Sequence, residues 1–221
     1  MRREVDINDI SDGKLYGLDD MVKADCGGCN GCFSCCMGMG ESIILDPFDI
    51  YQLTTNLKKT FEELLADAIA LSVYDGIILP HIQMQPDNDA CFFLNQEGRC
   101  SVHAFRPSIC RLFPLGRYYE EDGFRYFLQI HECKKKNRSK VKVKKWIDIP
   151  DIQKNETFIQ AWHDFVTKVQ DHLDGQDENY IKRIDMFILQ HFFVDKYTTE
   201  EDFYTQFESR LKKAKEVIRI Q

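Results

Sequence analysis

Past Pro150 the chain settles into a helical rhythm of apolar positions. In NETFIQAWHDFVTKVQDHLDG, Phe158, Trp162, Phe165, Val166, Val169 and Leu173 recur at the spacing of one helix face, and Gly175 is placed to stop the helix. DENYIKRIDMFILQHFFVDKY and TTEEDFYTQFESRLKKAKEVI continue the pattern, the latter with Thr198 and Glu201 in capping-box register. These stripes predict a packed bundle whose aromatic residues form its core. Before Pro150 the pattern is shorter-ranged. LDPFDIYQLTTNL reads as a helix with Asp46 as N-cap and Pro47 in its first position, and TFEELLADAIA as a second, with Thr60 three residues ahead of Glu63. LSVYDGIILPHIQM places β-type residues around an Asp75-Gly76 turn, and CFFLNQEGRC looks similar, a strand and a Gly turn between two cysteines. RYYEEDGFRYFLQI gives the clearest hairpin, with apolar and aromatic runs on both sides of Asp122-Gly123.

The predicted fold class is therefore α+β: a small irregular cysteine-rich core of short helices and hairpins, then a C-terminal helical bundle. The expected divisions are a metal-binding domain over 20–135, a basic linker or strand over 136–150, and a helical region over 151–221 packed on the first.

Composition narrows the class. A 43% hydrophobic and 29% charged chain of 221 residues can bury an ordinary core without disulfide staples. MRREVDINDISDG has no apolar stretch of a signal peptide, and the longest apolar run, MFILQHFFV, is too short to span a bilayer. The expectation is a cytoplasmic protein with no membrane partner, where structural disulfides are rare and an odd count of nine cysteines does not close into pairs. The net charge is −7, yet KKKNRSKVKVKK (134–145) holds eight Lys or Arg and no acid, leaving about −15 on the rest. That balance argues against nucleic acid as a partner.

The cysteines carry the chemistry. CGGCNGCFSCC (26–36) holds five of them, and Cys91, Cys100, Cys110 and Cys133 follow at wide intervals. Cys29, Cys32 and Cys35 follow Cys-x2-Cys-x2-Cys with Cys36 adjoining, while Cys26, Cys29, Cys32 and Cys36 match the spacing of bacterial ferredoxins without its final Pro. Neighbouring side chains diverge, so Cys35 and Cys36 rarely serve one ion together. At about four thiolates per site, nine cysteines make two sites with one left over, with ligands shared between the early run and the later four. In CSVHAFRPSICRLFP, Pro107 fits the first turn of a short helix, which puts Cys110 near free N–H groups that favour thiolate. Arg106 and Arg111 flank it and are candidates to offset the negative charge of a thiolate centre. His131 and His103 are near cysteines and could ligate or support a ligand.

The block Arg-Pro-x2-Cys-Arg-x-Phe-Pro (Arg106 to Pro114), with the early cysteine run, IILDPFDIYQL, Cys91, Cys100 and a final Cys133, resembles the YkgJ-like cysteine-cluster family over residues 26 to 135. The resemblance implies a zinc- or iron-chelating domain, with Cys29, Cys32, Cys35, Cys36, Cys91, Cys100, Cys110 and Cys133 as candidate ligands and Cys26 outside the usual pattern. Where His103 stands, a tyrosine is common. The flagellin lysine-N-methylases carry a similar cysteine block, which implies an enzyme as an alternative.

The expected cofactor is an iron–sulfur cluster of the 4Fe-4S kind, because cysteines two residues apart suit a cubane, or Zn²⁺ or Fe ions, which thiolates also accept. Three functions stand open: a metal-binding protein with a structural, redox or metal-handling role, a cluster-dependent protein-modifying enzyme, and a module binding an anionic partner through 134–145. No Gly-rich nucleotide loop, nucleophile elbow or paired-carboxylate motif is visible in the sequence.

Overall fold

A single turn of helix, α1 (Ile7–Ile10), opens the computed structural model, which describes residues 6–27, 31–135 and 137–220. β1 (Ser11–Tyr16) and β2 (Met21–Asp25) follow, but they do not pair with each other. β1 instead joins the predicted hairpin of β5 (Leu115–Glu120) and β6 (Gly123–Gln129), giving an antiparallel sheet in the order β1-β6-β5. β2 pairs antiparallel with β7 (Ser139–Lys142), with Asp25 opposite Ser139. The basic stretch is thus built into the fold as β7 and the short helix α5 (Val143–Ile147), and Lys142 and Lys144 both form ion pairs with Asp19.

Asp46 caps α2 (Pro47–Leu57) as its sequence dictates, and Asp49 returns a hydrogen bond to the cap. Thr60 and Glu63 likewise close a capping box on α3. α3 spans only Phe61–Leu65, shorter than TFEELLADAIA suggests, because Ile69 and Ala70 are taken into the next hairpin. That hairpin is β3 (Ile69–Tyr74) and β4 (Ile77–Ile82), turned by Asp75 and Gly76 at positive φ angles of 48° and 86°. CFFLNQEGRC, expected to be a hairpin, does turn back on itself, but its pairing is reduced to the antiparallel bridge of Leu94 with Cys100 and the Ser101 N–H on the Phe93 carbonyl at 2.8 Å, while Met84 bridges Cys91. The Asn95 carboxamide accepts from the N–H groups of Glu97 and Arg99, tightening the turn.

α4 (Ser108–Leu112) precedes the β5–β6 hairpin. Beyond α5 come α6 (Ile152–Leu173), α7 (Glu178–Leu189) with a π-helical extension over Gln190–Val194, and α8 (Phe203–Ile218). Gly175, at φ 73°, follows the end of α6 as its place in the sequence predicts. α8 starts later than Thr198 suggests. Asp202 is its N-cap, and Thr198 is held through its backbone by the Gln206 side chain. The aromatic stripes meet as expected, Phe158 edge-on to Phe207 at 4.6 Å and Trp162 edge-on to Phe192 at 5.1 Å. Val22, Leu53, Phe93 and Val102 from the cysteine-bearing part are buried in the same apolar cluster as Phe165, Phe192 and Phe207. The helices therefore back the cysteine loops with a continuous core.

Candidate metal centre

The early cysteine run is fastened to the loop after β4 by its backbone. Ser34, Cys35 and Cys36 form a 3-10 turn, closed by the Cys36 N–H on the Phe33 carbonyl at 2.8 Å. The Cys36 carbonyl then accepts from the Cys91 N–H at 2.7 Å, and the Gly38 N–H donates to the Asp89 carbonyl at 2.8 Å. Phe33 lies over Gly98, where an added Cβ would come within 3.0 Å of its ring. Lack of a side chain at Gly98 lets the two loops close, and Cys100 follows two residues later.

Cys110 is presented differently. It occupies the third position of α4, with Pro107 as the residue before the helix. Asp49, buried to 3% exposure, reaches from α2 and accepts from both the Ser108 N–H (2.7 Å) and the Ser108 hydroxyl (2.8 Å). This anchor was not singled out from the sequence; the available signal was a second acid inside an already capped helix. At the other end of α4, the Trp146 indole N–H from α5 is shared between the carbonyls of Leu112 (3.3 Å) and Phe113 (3.2 Å).

Electrostatics show that these separately held thiols share one neighbourhood. Cys35 is raised by its hydrogen bond with the Cys36 thiol and by burial. Burial also raises Cys91, Cys100 and Cys110, and each of the three is pushed up further by the charge of neighbouring thiols, Cys35 among them. The helix end expected to favour a thiolate at Cys110 does not prevail, because burial and the Cys91, Asp49, Cys100 and Cys35 charges outweigh it. The Arg106 guanidinium works in the opposite sense on Cys35 and Cys100. Arg111 is tied to the carbonyls of Ala104 and Asp148 (the latter at 3.1 Å), and burial lowers its own pKa. Arg106 donates to His103 Nε2, and His131 is exposed.

Cys26, Cys32, Cys35 and Cys133 line one small cavity. The strands explain this meeting. Cys26 follows β2 directly and Cys133 precedes β7, so their antiparallel pairing brings the two stretches to the same end of the ribbon. Cys29 lies outside the described residues. Cys32, Cys35, Cys36, Cys91, Cys100, Cys110 and Cys133 stand as thiols, unlinked by disulfides. Among the described residues, no three His, Cys, Asp or Glu side chains converge tightly enough to hold an ion as they stand.

The residues nevertheless fit a thiolate-bound metal. Thiols from four separate segments raise one another's pKa, and that mutual repulsion opposes ionisation until a cation offsets it. The buried Arg106 Nε–H has no acceptor, and an anionic metal–thiolate group beside it would supply one. Residues 28–142, more than half of the chain, match the family CxxCxxCC, described as "Putative zinc- or iron-chelating domain". No curated protein and no solved structure is matched by the chain.

Proposed function

The chain belongs to the CxxCxxCC family, and from that premise we propose that it is a metal-binding protein that holds zinc or iron through cysteine thiolates. The observation that carries this reading is the shared neighbourhood of Cys35, Cys36, Cys91, Cys100 and Cys110, supplied by four stretches of chain. These thiols are the ligand pool. Asp49 positions Cys110, the Cys36–Cys91 backbone bond sets the early run against the later loop, and Arg106 offsets negative charge. A bound zinc ion would tie the loops together, whereas an iron–sulfur cluster would add one-electron chemistry. The cluster form is favoured by the presence of both Cys35 and Cys36 in the pool, since adjacent residues serve different corners of a cluster more readily than one ion.

Anaerobic purification with iron, zinc and acid-labile sulfide analysis tests the proposal. Metal stoichiometric with protein is expected, with sulfide equimolar to iron and broad visible absorption if a cluster is present, and Cys110→Ser should bind less. Metal-free wild-type protein, or a Cys110→Ser variant that retains the wild-type content, would refute the reading.

A further inference from the structure

The cavity lined by Cys26, Cys32, Cys35 and Cys133 has a volume of about 20 Å³. A space of that size is about that of one water molecule. Besides the four cysteines, Glu132 and the apolar side chains of Phe113, Pro114 and Trp146 line it. Soft sulfur donors beside a low-dielectric wall suit a thiophilic divalent ion and not Mg²⁺ or Ca²⁺, which take oxygen. A zinc-class ion held by four thiolates would carry a net charge near −2, and Lys134 and Lys135 also line this cavity.

We propose that Cys26, Cys32, Cys35 and Cys133 form a second thiolate site, for a single zinc-class cation, beside the pool of Cys91, Cys100 and Cys110. The inference rests on the metal-binding reading above and extends it in two respects. It assigns a ligand, Cys26, that precedes the residues matched by the family, and it divides the early cysteine run between two centres that meet at Cys35. The Cys32 thiol lies 3.7 Å from the Ser34 hydroxyl, and both residues line this cavity. β2 and β7 hold the mouth of the site through the Ser139 hydroxyl on the Asp25 carboxylate at 3.0 Å, one residue from Cys26.

The test uses the full chain, reduced, stripped with a chelator and titrated anaerobically with Co²⁺ and then Zn²⁺. The site predicts two equivalents with cobalt–thiolate absorption for both. Cys26→Ser and Cys133→Ser should each lose one equivalent while keeping the other. Thiol alkylation of the wild-type protein, read by mass spectrometry, removes any dependence on how the variants fold. Cys26, Cys32 and Cys133 should become protected as one group, separately from Cys91, Cys100 and Cys110. Full alkylation of Cys26, Cys32 and Cys133 in loaded protein, or a single equivalent untouched by Cys26→Ser, overturns this site and leaves the first reading standing. Failure of the wild-type protein to bind either ion overturns both.

Discussion

Asp49 links two stretches of chain that lie 59 residues apart. Its Oδ1 atom takes both hydrogen bonds from Ser108, and its Oδ2 takes the Asp46 N–H at 3.2 Å. Burial raises its pKa, while the bonds from Ser108 pull it back down. Asp49→Ala would strand a buried N–H and a buried hydroxyl, and should cost about 2–4 kcal/mol in a urea melt together with part of the metal content. Asp49→Asn, which keeps one acceptor, should be milder; an Asp49→Ala variant with unchanged melt and metal content would deny the anchoring role. A second single-residue effect concerns pH. His191 is 8% exposed, donates from Nε2 to the Arg210 carbonyl at 3.0 Å, and has its pKa lowered chiefly by burial. The unfolded chain therefore binds a proton more readily than the fold does. The stabilisation is complete above the ordinary histidine value of about 6.5 and declines as pH falls from there towards the folded value. Melting temperatures at pH 7.5 and 5 should fall less between the two for His191→Phe than for the wild type, and equal slopes would exclude this contribution.

At the level of elements, what could be read beforehand was what short-range chemistry dictates. Asp46-Pro47 and Thr60–Glu63 start helices, Asp75-Gly76 turns a hairpin, and the stripe from Phe158 to Leu173 runs along α6. Where a side chain competed with the local pattern, the sequence misled. Asp202 took the capping role assigned to Thr198. The pairings β1–β6 and β2–β7 had no local signal, since each joins strands separated by most of the cysteine region. Two substitutions test element packing. Phe165→Ala, at a fully buried position of α6, should cost about 3–5 kcal/mol, measured by denaturant unfolding. Gly98→Ala places a methyl group against Phe33 at a residue with φ 70°. It should weaken metal retention more than it lowers the helical melt, and equal metal affinity would show that the Phe33–Gly98 closure does not shape the centre.

Across the whole molecule, distant cysteines are brought near one another by a fold whose core continues into the C-terminal helices. That such thiols would be shared between sites was an arithmetic expectation from their number and spacing, and neither number nor spacing indicates which of them are neighbours. The approach of Cys26 to Cys133 depends on the β2–β7 ribbon, and the placement of Cys110 on the Asp49–Ser108 bond, both long-range contacts. Among the described residues, no helix is long and apolar enough to cross a membrane. Since the cysteine loops and helices share one core, metal that binds only the folded chain should raise the melting temperature of the helical signal too. The account as a whole turns on sulfur as the donor. X-ray absorption at the zinc or iron edge of anaerobically purified protein measures this directly. Nearest neighbours that are sulfur, at about 2.3 Å for both metals, are predicted; a shell of nitrogen and oxygen only, around metal present at full stoichiometry, would contradict it.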